Sequence, residues 1–320
     1  MTSALVLYYS QSGETIRVAK LFADELAAAG AVVELVGIQP KTAYPYPWKS
    51  IIRFFDAMPD AVLGMPIEIS PLLIDPSTRF DLVVLAYPVW FLSPATPIQA
   101  FFRSRYAGVL SETDVLTISV SRAMWQRASV AMVGLLAKAG ARHCDNVAVT
   151  HQGSPLTTLI STPRALLFGK SDRLLGVFPS AGVAGEDLTR VKRLASVAAR
   201  RLIAGRAPGA PLLSGEDAVS VKRWLAVPEL LAWYCFYGSA VTIRALGKVH
   251  RGLRVAGVLA FAIFLVILIV LGLPMAVLAT FLATPFINSR LNAYIARLAG
   301  PTGQVKPIFD TAQKGRAISG

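Results

Sequence analysis

Short, unbroken apolar runs recur along the first half of the chain, and a segment with helical spacing follows most of them. Residues 4–7 read as a strand buried on both faces. Residues 16–29 then place apolar positions at helical intervals and stop at Gly30. The pattern returns with strands at 32–36, 81–86, 115–120 and 143–150. The helices between them run from Pro97 to about Arg105, from 128 to 139 with a stop at Gly140, and from 185 to 204. This rhythm predicts an α/β fold: a doubly wound, five-stranded parallel sheet occupying residues 1–206. Two insertions interrupt it. Residues 40–79 carry Tyr44-Pro45-Tyr46-Pro47-Trp48 and Phe54-Phe55, a set that either walls a hydrophobic pocket or packs on the sheet edge. Residues 152–180 are apolar with scattered Arg164, Lys170 and Arg173, suited to covering a lipophilic ligand or meeting a membrane.

Past the Ala207-Pro208-Gly209-Ala210-Pro211 boundary the pattern changes. Residues 207–254 read as a linker and an interfacial helix, rich in aromatics and holding one acid, Glu229, between 225 and 243. Residues 255–289 contain no charge, and about 20 apolar residues suffice to cross a ~30 Å hydrocarbon core. Gly272-Leu273-Pro274 interrupts that run, so the segment is either one long kinked transmembrane helix or a re-entrant hairpin. Arg244, Lys248, Arg251 and Arg254 before it, with Arg290 and Arg297 after it, favour the hairpin, because both ends then face the cytoplasm. Residues 290–320 form a polar tail.

Composition agrees with a membrane-anchored protein. Of 320 residues, 54% are hydrophobic and the mean hydropathy is +0.54, high for a purely soluble chain. The net charge of +13 divides into +6 over residues 1–210 and +7 over the rest. Because the basic residues flank apolar segments, they point to anionic lipid rather than nucleic acid. Cys144 and Cys235 have no paired spacing, and His143, His151 and His250 stand alone, so no metal site is expected. Met1-Thr2-Ser3 lacks a charged leader, which places the α/β domain on the cytoplasmic face of the cell membrane.

The candidate chemistry lies in three loops at one sheet edge. Tyr8-Tyr9-Ser10-Gln11-Ser12-Gly13-Glu14-Thr15 joins the first strand to the first helix. Its hydroxyls, its single glycine and the helix N-terminus behind them suit a phosphate. No Lys follows the glycine and no further glycines complete a dinucleotide fingerprint. The loop resembles the FMN-phosphate loop of flavodoxins; the alternative is a capped turn with Ser12 as N-cap. The second loop, Tyr87-Pro88-Val89-Trp90, offers Tyr87 or Trp90 to stack on an isoalloxazine ring. In the third, Ser119 and Ser121 precede Arg122, which either stabilises negative charge on reduced flavin or is a solvated surface arginine. His151 ends the fifth strand beside the same edge.

The combination of Tyr8 to Gly13, Tyr44 to Trp48, Arg53-Phe54-Phe55-Asp56-Ala57, Arg79-Phe80-Asp81-Leu82-Val83 and Tyr87 to Pro94 is similar to bacterial dialkylresorcinol condensing enzymes. Thr150-His151-Gln152-Gly153-Ser154 and Thr162-Pro163-Arg164 extend the likeness. Carbon–carbon condensation wants an activated cysteine and an oxyanion hole, and neither is recognisable. The resemblance implies instead an FMN-dependent aromatase that oxidises a dialkyl cyclohexane-1,3-dione, with His151 or Tyr87 as base. It also implies a ketosynthase partner and a homodimer as candidate assemblies. A quinone reductase or electron-transfer flavoprotein is the competing enzyme. A flavin-less membrane scaffold is the third reading, because Glu14 places a carboxylate in a loop meant for phosphate.

Overall fold

The computed structural model describes residues 1–150, 166–169, 182–299 and 304–305. Strands β1 (Ser3–Tyr8), β2 (Val32–Gly37) and β3 (Leu82–Trp90) are joined by a two-residue strand β4 (Ser93–Pro94), then β5 (Asp114–Ser121) and β6 (Arg142–Thr150). The long strands are all parallel, in the order β2-β1-β3-β5-β6. That is the flavodoxin-like doubly wound order, whose ligand crevice opens beyond the strand carboxyl ends at the β1/β3 switch point. The expected sheet is therefore present.

Helices cover both faces of the sheet. On one face, Val18, Phe22 and Leu26 of α1 (Glu14–Ala28) join Val191, Leu194 and Ala198 of a later helix (Gly185–Ile203) in one core. On the other, Ile98 and Phe101 of α4 (Thr96–Phe101) and Met132 and Leu136 of α5 (Gln126–Lys138) pack on Leu5, Leu7 and Leu85. The 40–79 insertion supplies the intervening α2 (Ile51–Asp56), capped by Ser50, and α3 (Met58–Leu63), ended by Gly64 at φ +61°. The Gly185–Ile203 helix is α6.

The third strand runs four residues past the expected 86 and then reverses. Trp90 pairs with Ser93 across Phe91 and Leu92, whose φ values are +50° and +63°. Two central residues at positive φ define a type I′ turn, the hairpin turn that matches strand twist. Neither residue is the usual Asn or Gly, which hid the turn from sequence patterning.

The C-terminal region forms a helical hairpin. α7 (Arg223–Val249) is one continuous helix. His250 makes the turn, its Nδ1 accepting the Gly252 N–H at 3.0 Å. α8 (Arg251–Ile267) then continues through a π stretch, Leu268–Gly272, into α9 (Leu273–Ala299). The π stretch has a local cause: Pro274 offers no N–H and its ring crowds the carbonyl of residue 270. No hairpin turn forms inside 255–289; Gly272-Leu273-Pro274 widens the helix without reversing it. Arg251–Ala283 is long and apolar enough to cross a membrane.

Both ends of this long helix rest on the α/β domain. Near its start, Val258 and Phe261 pack with Phe236 of α7 and with Met58 and Leu92 of the domain. Near its end, Leu291 packs against Trp125, Ala148, Val219 and Val221.

Candidate functional site

The first loop is built on Gly13. It occupies the N-cap position of α1 at φ +89°, a left-handed conformation open to glycine, and no side chain caps the helix. The alternative of Ser12 as a side-chain cap is therefore not formed; Ser12 is exposed. The first helical bond runs from the Arg17 N–H to the Gly13 carbonyl, 3.3 Å. The amides of Glu14, Thr15 and Ile16 are left without intrahelical acceptors. Ser10 Oγ is buried and has no partner among the described residues, and Thr15 is buried behind it. A hydroxyl unmet among the described residues, a second hydroxyl and three amides without intrahelical acceptors at a positive helix end fit an anion. The Glu14 carboxylate is drawn aside: it accepts the Val183 N–H at 3.0 Å and lies 3.3 Å from Arg17. Its charge is thus compensated within the fold.

Gln11 ties this loop to the insertion, its amide donating to the Pro45 carbonyl at 2.8 Å. The insertion in turn stands against the second loop. Trp90 meets Tyr44 edge-on at 4.9 Å between centroids, Tyr9 at 5.7 Å and Trp48 at 6.2 Å. From there the aromatic contacts continue through Trp48, Phe54 and Phe91 to Phe236 of α7. Of the two expectations for residues 40–79, the pocket wall is the one realised.

A cavity of about 610 Å³ opens inside this wall. Gln11, Val89, Trp90, Arg122 and Met124 line its end at the sheet edge. Leu231, Phe236, Leu265, Leu268, Gly272 and Ala276 line the other end, between α7 and the long helix. One cavity thus joins the crevice of the α/β fold to the apolar helices.

Tyr87 does not take part. It is wholly buried in the core behind α4, it does not line the cavity, and its hydroxyl finds no partner among the described residues. Burial also drives its pKa upward. A phenol that is fully buried and held protonated by its raised pKa is a poor base, so the catalytic expectation for Tyr87 is corrected; Trp90 is the aromatic side chain that this strand sends to the site. Pro88 serves through its carbonyl, which accepts the Ala95 N–H at 3.1 Å and holds the β3–β4 return. His151 lies outside the described residues.

The third loop divides. Ser119 Oγ donates to the Val147 carbonyl at 3.5 Å and belongs to the sheet interior. Ser121 Oγ is buried without a partner among the described residues. Arg122 is the chemically telling residue. It lines the cavity, and no described residue gives its guanidinium a hydrogen bond or an ion pair. Burial lowers its pKa to about 10, so it stays charged at neutral pH. Among the described residues this desolvated cation has no counter-ion, which is costly, and it faces the cavity.

Sequence reasoning missed the contributions of Met124 and of the helical residues beyond 225. The Gly272–Pro274 interruption was the available signal for the second group, since it marks where the helix widens beside the cavity. Glu229 was the other signal. This acid is fully buried, and its Oε1 accepts the Arg127 N–H at 2.7 Å at the start of α5. Burial raises its pKa to about 8, and the Arg127 guanidinium lies 4.3 Å over the Trp233 ring. These contacts lock α7 to the domain.

No family model matches the chain, and no curated protein matches it. Solved structures resemble it. A protein of Bacteroides eggerthii described as a flavoprotein is 18% identical over 50% of this chain and 94% of its own, with a TM-score of 0.37. A flavodoxin from the domain Archaea is 11% identical over 63% and 99%, with a TM-score of 0.35. An azoreductase from Bacillus anthracis is 12% identical over 62% and 99%, with a TM-score of 0.34. The fold class rests on the strand order itself, and at these scores the likenesses add no argument about activity.

Proposed function

We propose that this chain is a membrane-associated, FMN-dependent oxidoreductase whose substrate is a lipophilic, enolisable ring. Oxidation of a dialkyl cyclohexane-1,3-dione to a dialkylresorcinol is the reaction that suits it best. The observation that carries the reading is the placement of Arg122. A guanidinium with no partner among the described residues stands at the sheet-edge end of a cavity whose remaining lining is almost wholly apolar. Such a cavity suits an amphiphile with an anionic head and alkyl tails.

The residues present fit the cofactor. Ser10, Thr15 and the amides of the first turn of α1 would hold the phosphate. Trp90 and Val89 would flank the ring system, and Arg122 would lie near its polar edge. When bound, FMN supplies the two-electron acceptor for hydride. The protein's part is then placement and charge. A cyclohexane-1,3-dione is acidic enough to arrive as its enolate, so the site needs a cation more than a strong base. Arg122 holds that oxygen, and the apolar helices exclude water and accommodate the tails. Loss of hydride from the enolate, followed by transfer of a ring proton to oxygen, leaves the aromatic diol, and aromaticity drives the step forward.

An absorbance spectrum of the detergent-purified chain after FMN addition is the first test. Absence of the oxidised-flavin bands would favour the scaffold reading. If flavin binds, turnover of a synthetic dialkyl cyclohexane-1,3-dione is expected; reduction of a quinone by NADPH, without dione turnover, would replace this substrate assignment with the quinone-reductase one.

A further inference from the structure

The helix that composition reads as a transmembrane span cannot cross a bilayer while docked as it is. Arg254 Nε lies 2.6 Å from Asp56 Oδ1 of the domain, and its Nη2 donates to the Asp56 carbonyl at 3.2 Å. At the far end, Leu291 is 4% exposed against Trp125 and Val221, and Asn288 accepts from Arg223 at 2.7 Å. From Arg254 to Leu291 the helix runs about 55 Å. That exceeds the ~30 Å hydrocarbon core, yet both ends touch the same domain. A helix standing across the membrane would carry one end away from it.

The outward face of the helix is apolar in a regular stripe. Ile263, Val266, Val270, Met275, Leu278 and Leu282 recur at helical spacing, and Ile263 and Met275 are 65% and 69% exposed. On α7, Leu231, Tyr234, Tyr237 and Val241 form a second exposed stripe. Exposed basic residues bracket the first stripe, Lys248 and Arg251 at the hairpin turn and Arg290 at the other end. Two apolar stripes between cationic ends complement one leaflet of an anionic membrane. Leu231 and Tyr234 line the cavity and are themselves 48% and 60% exposed, so the cavity reaches the surface beside them.

We propose that α7 to α9 lie flat in a single leaflet, and that the cavity mouth between the two helices opens sideways into the acyl-chain region. The ligand then enters from the membrane plane, tails trailing in lipid and the polar head reaching Arg122. This rests on the reading of the apolar helices as membrane-binding, and adds their orientation and the route of entry.

The test reconstitutes the full chain by addition to preformed phosphatidylglycerol–phosphatidylcholine vesicles. Flotation comes first. A chain that stays at the bottom, its stripes covered by a second copy in solution, overturns membrane binding and this orientation together. For a chain that floats, single cysteines are placed by Lys248→Cys or Asn292→Cys in a Cys235→Ser background, Cys144 being buried. A membrane-impermeant maleimide added outside is expected to label both positions fully. Labelling of one position only until the vesicles are opened means that the helix crosses, which overturns the flat orientation and leaves membrane binding intact. Fluorophores at Ile263→Cys and Leu282→Cys give an independent reading. Equal quenching by a lipid-borne quencher at fixed depth is expected for a flat helix, and a graded difference overturns it.

Discussion

Arg254 and Asp56 lie 198 residues apart in sequence and 2.6 Å apart in space, joining the first turn of the long apolar helix to the aromatic insertion of the α/β domain. The pair is partly exposed, so it directs the docking more than it strengthens it. Asp56→Asn is expected to cost under about 1 kcal/mol in urea denaturation. Phe261, buried nearby against Phe55 and Phe236, is expected to cost about 3 kcal/mol or more when cut to Ala. Equal losses from the two variants would mean that packing does not dominate this contact.

Ser10 Oγ is buried and makes no hydrogen bond to any described residue, so no hydrogen bond among them depends on it for the stability of the fold. Ser10→Ala should leave thermal stability unchanged or slightly raised. FMN binding, followed by quenching of flavin fluorescence, should weaken about ten- to a hundredfold, the effect of one lost hydrogen bond to a charged phosphate. Thr15→Val is expected to act in the same direction. Unchanged FMN affinity in both variants would remove the first loop from the phosphate site.

Arg122→Met exchanges a desolvated cation for an apolar side chain of similar length. The ligand-free protein should gain about 1–2 kcal/mol of stability. Binding of an enolate-bearing amphiphile should weaken about tenfold or more, and Arg122→Lys should recover part of it. Calorimetric melting and equilibrium binding measured on the same samples separate the two effects. A variant that loses both stability and binding would indicate a structural arginine instead.

Glu229 gives the fold a pH dependence. Its pKa rises from 4.5 to about 8 on burial. Above about pH 4.5 the unfolded chain releases a proton that the folded chain retains. The stabilising contribution is therefore complete below that pH and is lost as pH rises through about 8. Glu229→Gln keeps an acceptor for the Arg127 N–H and removes the titration. The wild-type melting temperature should fall between neutral pH and pH 9 by more than that of the variant; parallel curves would show that Glu229 is not the group responsible.

The sheet was legible because each central strand is buried on both faces, so its sequence is an unbroken apolar run such as 82–86. The loop at Gly13 was legible because one glycine sits where the chain must turn left-handed into a helix. The Phe91–Leu92 turn was hidden, since its positive φ values fall on bulky residues that carry no turn signature and are held there by packing. Tyr87 was misassigned for a related reason: strand alternation sends neighbouring residues to opposite faces, and position alone does not tell which one faces the crevice. The docking of α7 through Glu229 depended on a contact across 102 residues, which no local pattern encodes.

The same Phe91–Leu92 turn has a kinetic consequence. Trp90 is clamped by strand pairing on its backbone and by three aromatic neighbours on its ring, so its orientation is set when the domain folds. A planar ligand then meets a wall already in place and has little side-chain entropy to remove on arrival. Association should follow a single concentration-dependent phase, with selectivity residing in how slowly a well-fitting ring leaves.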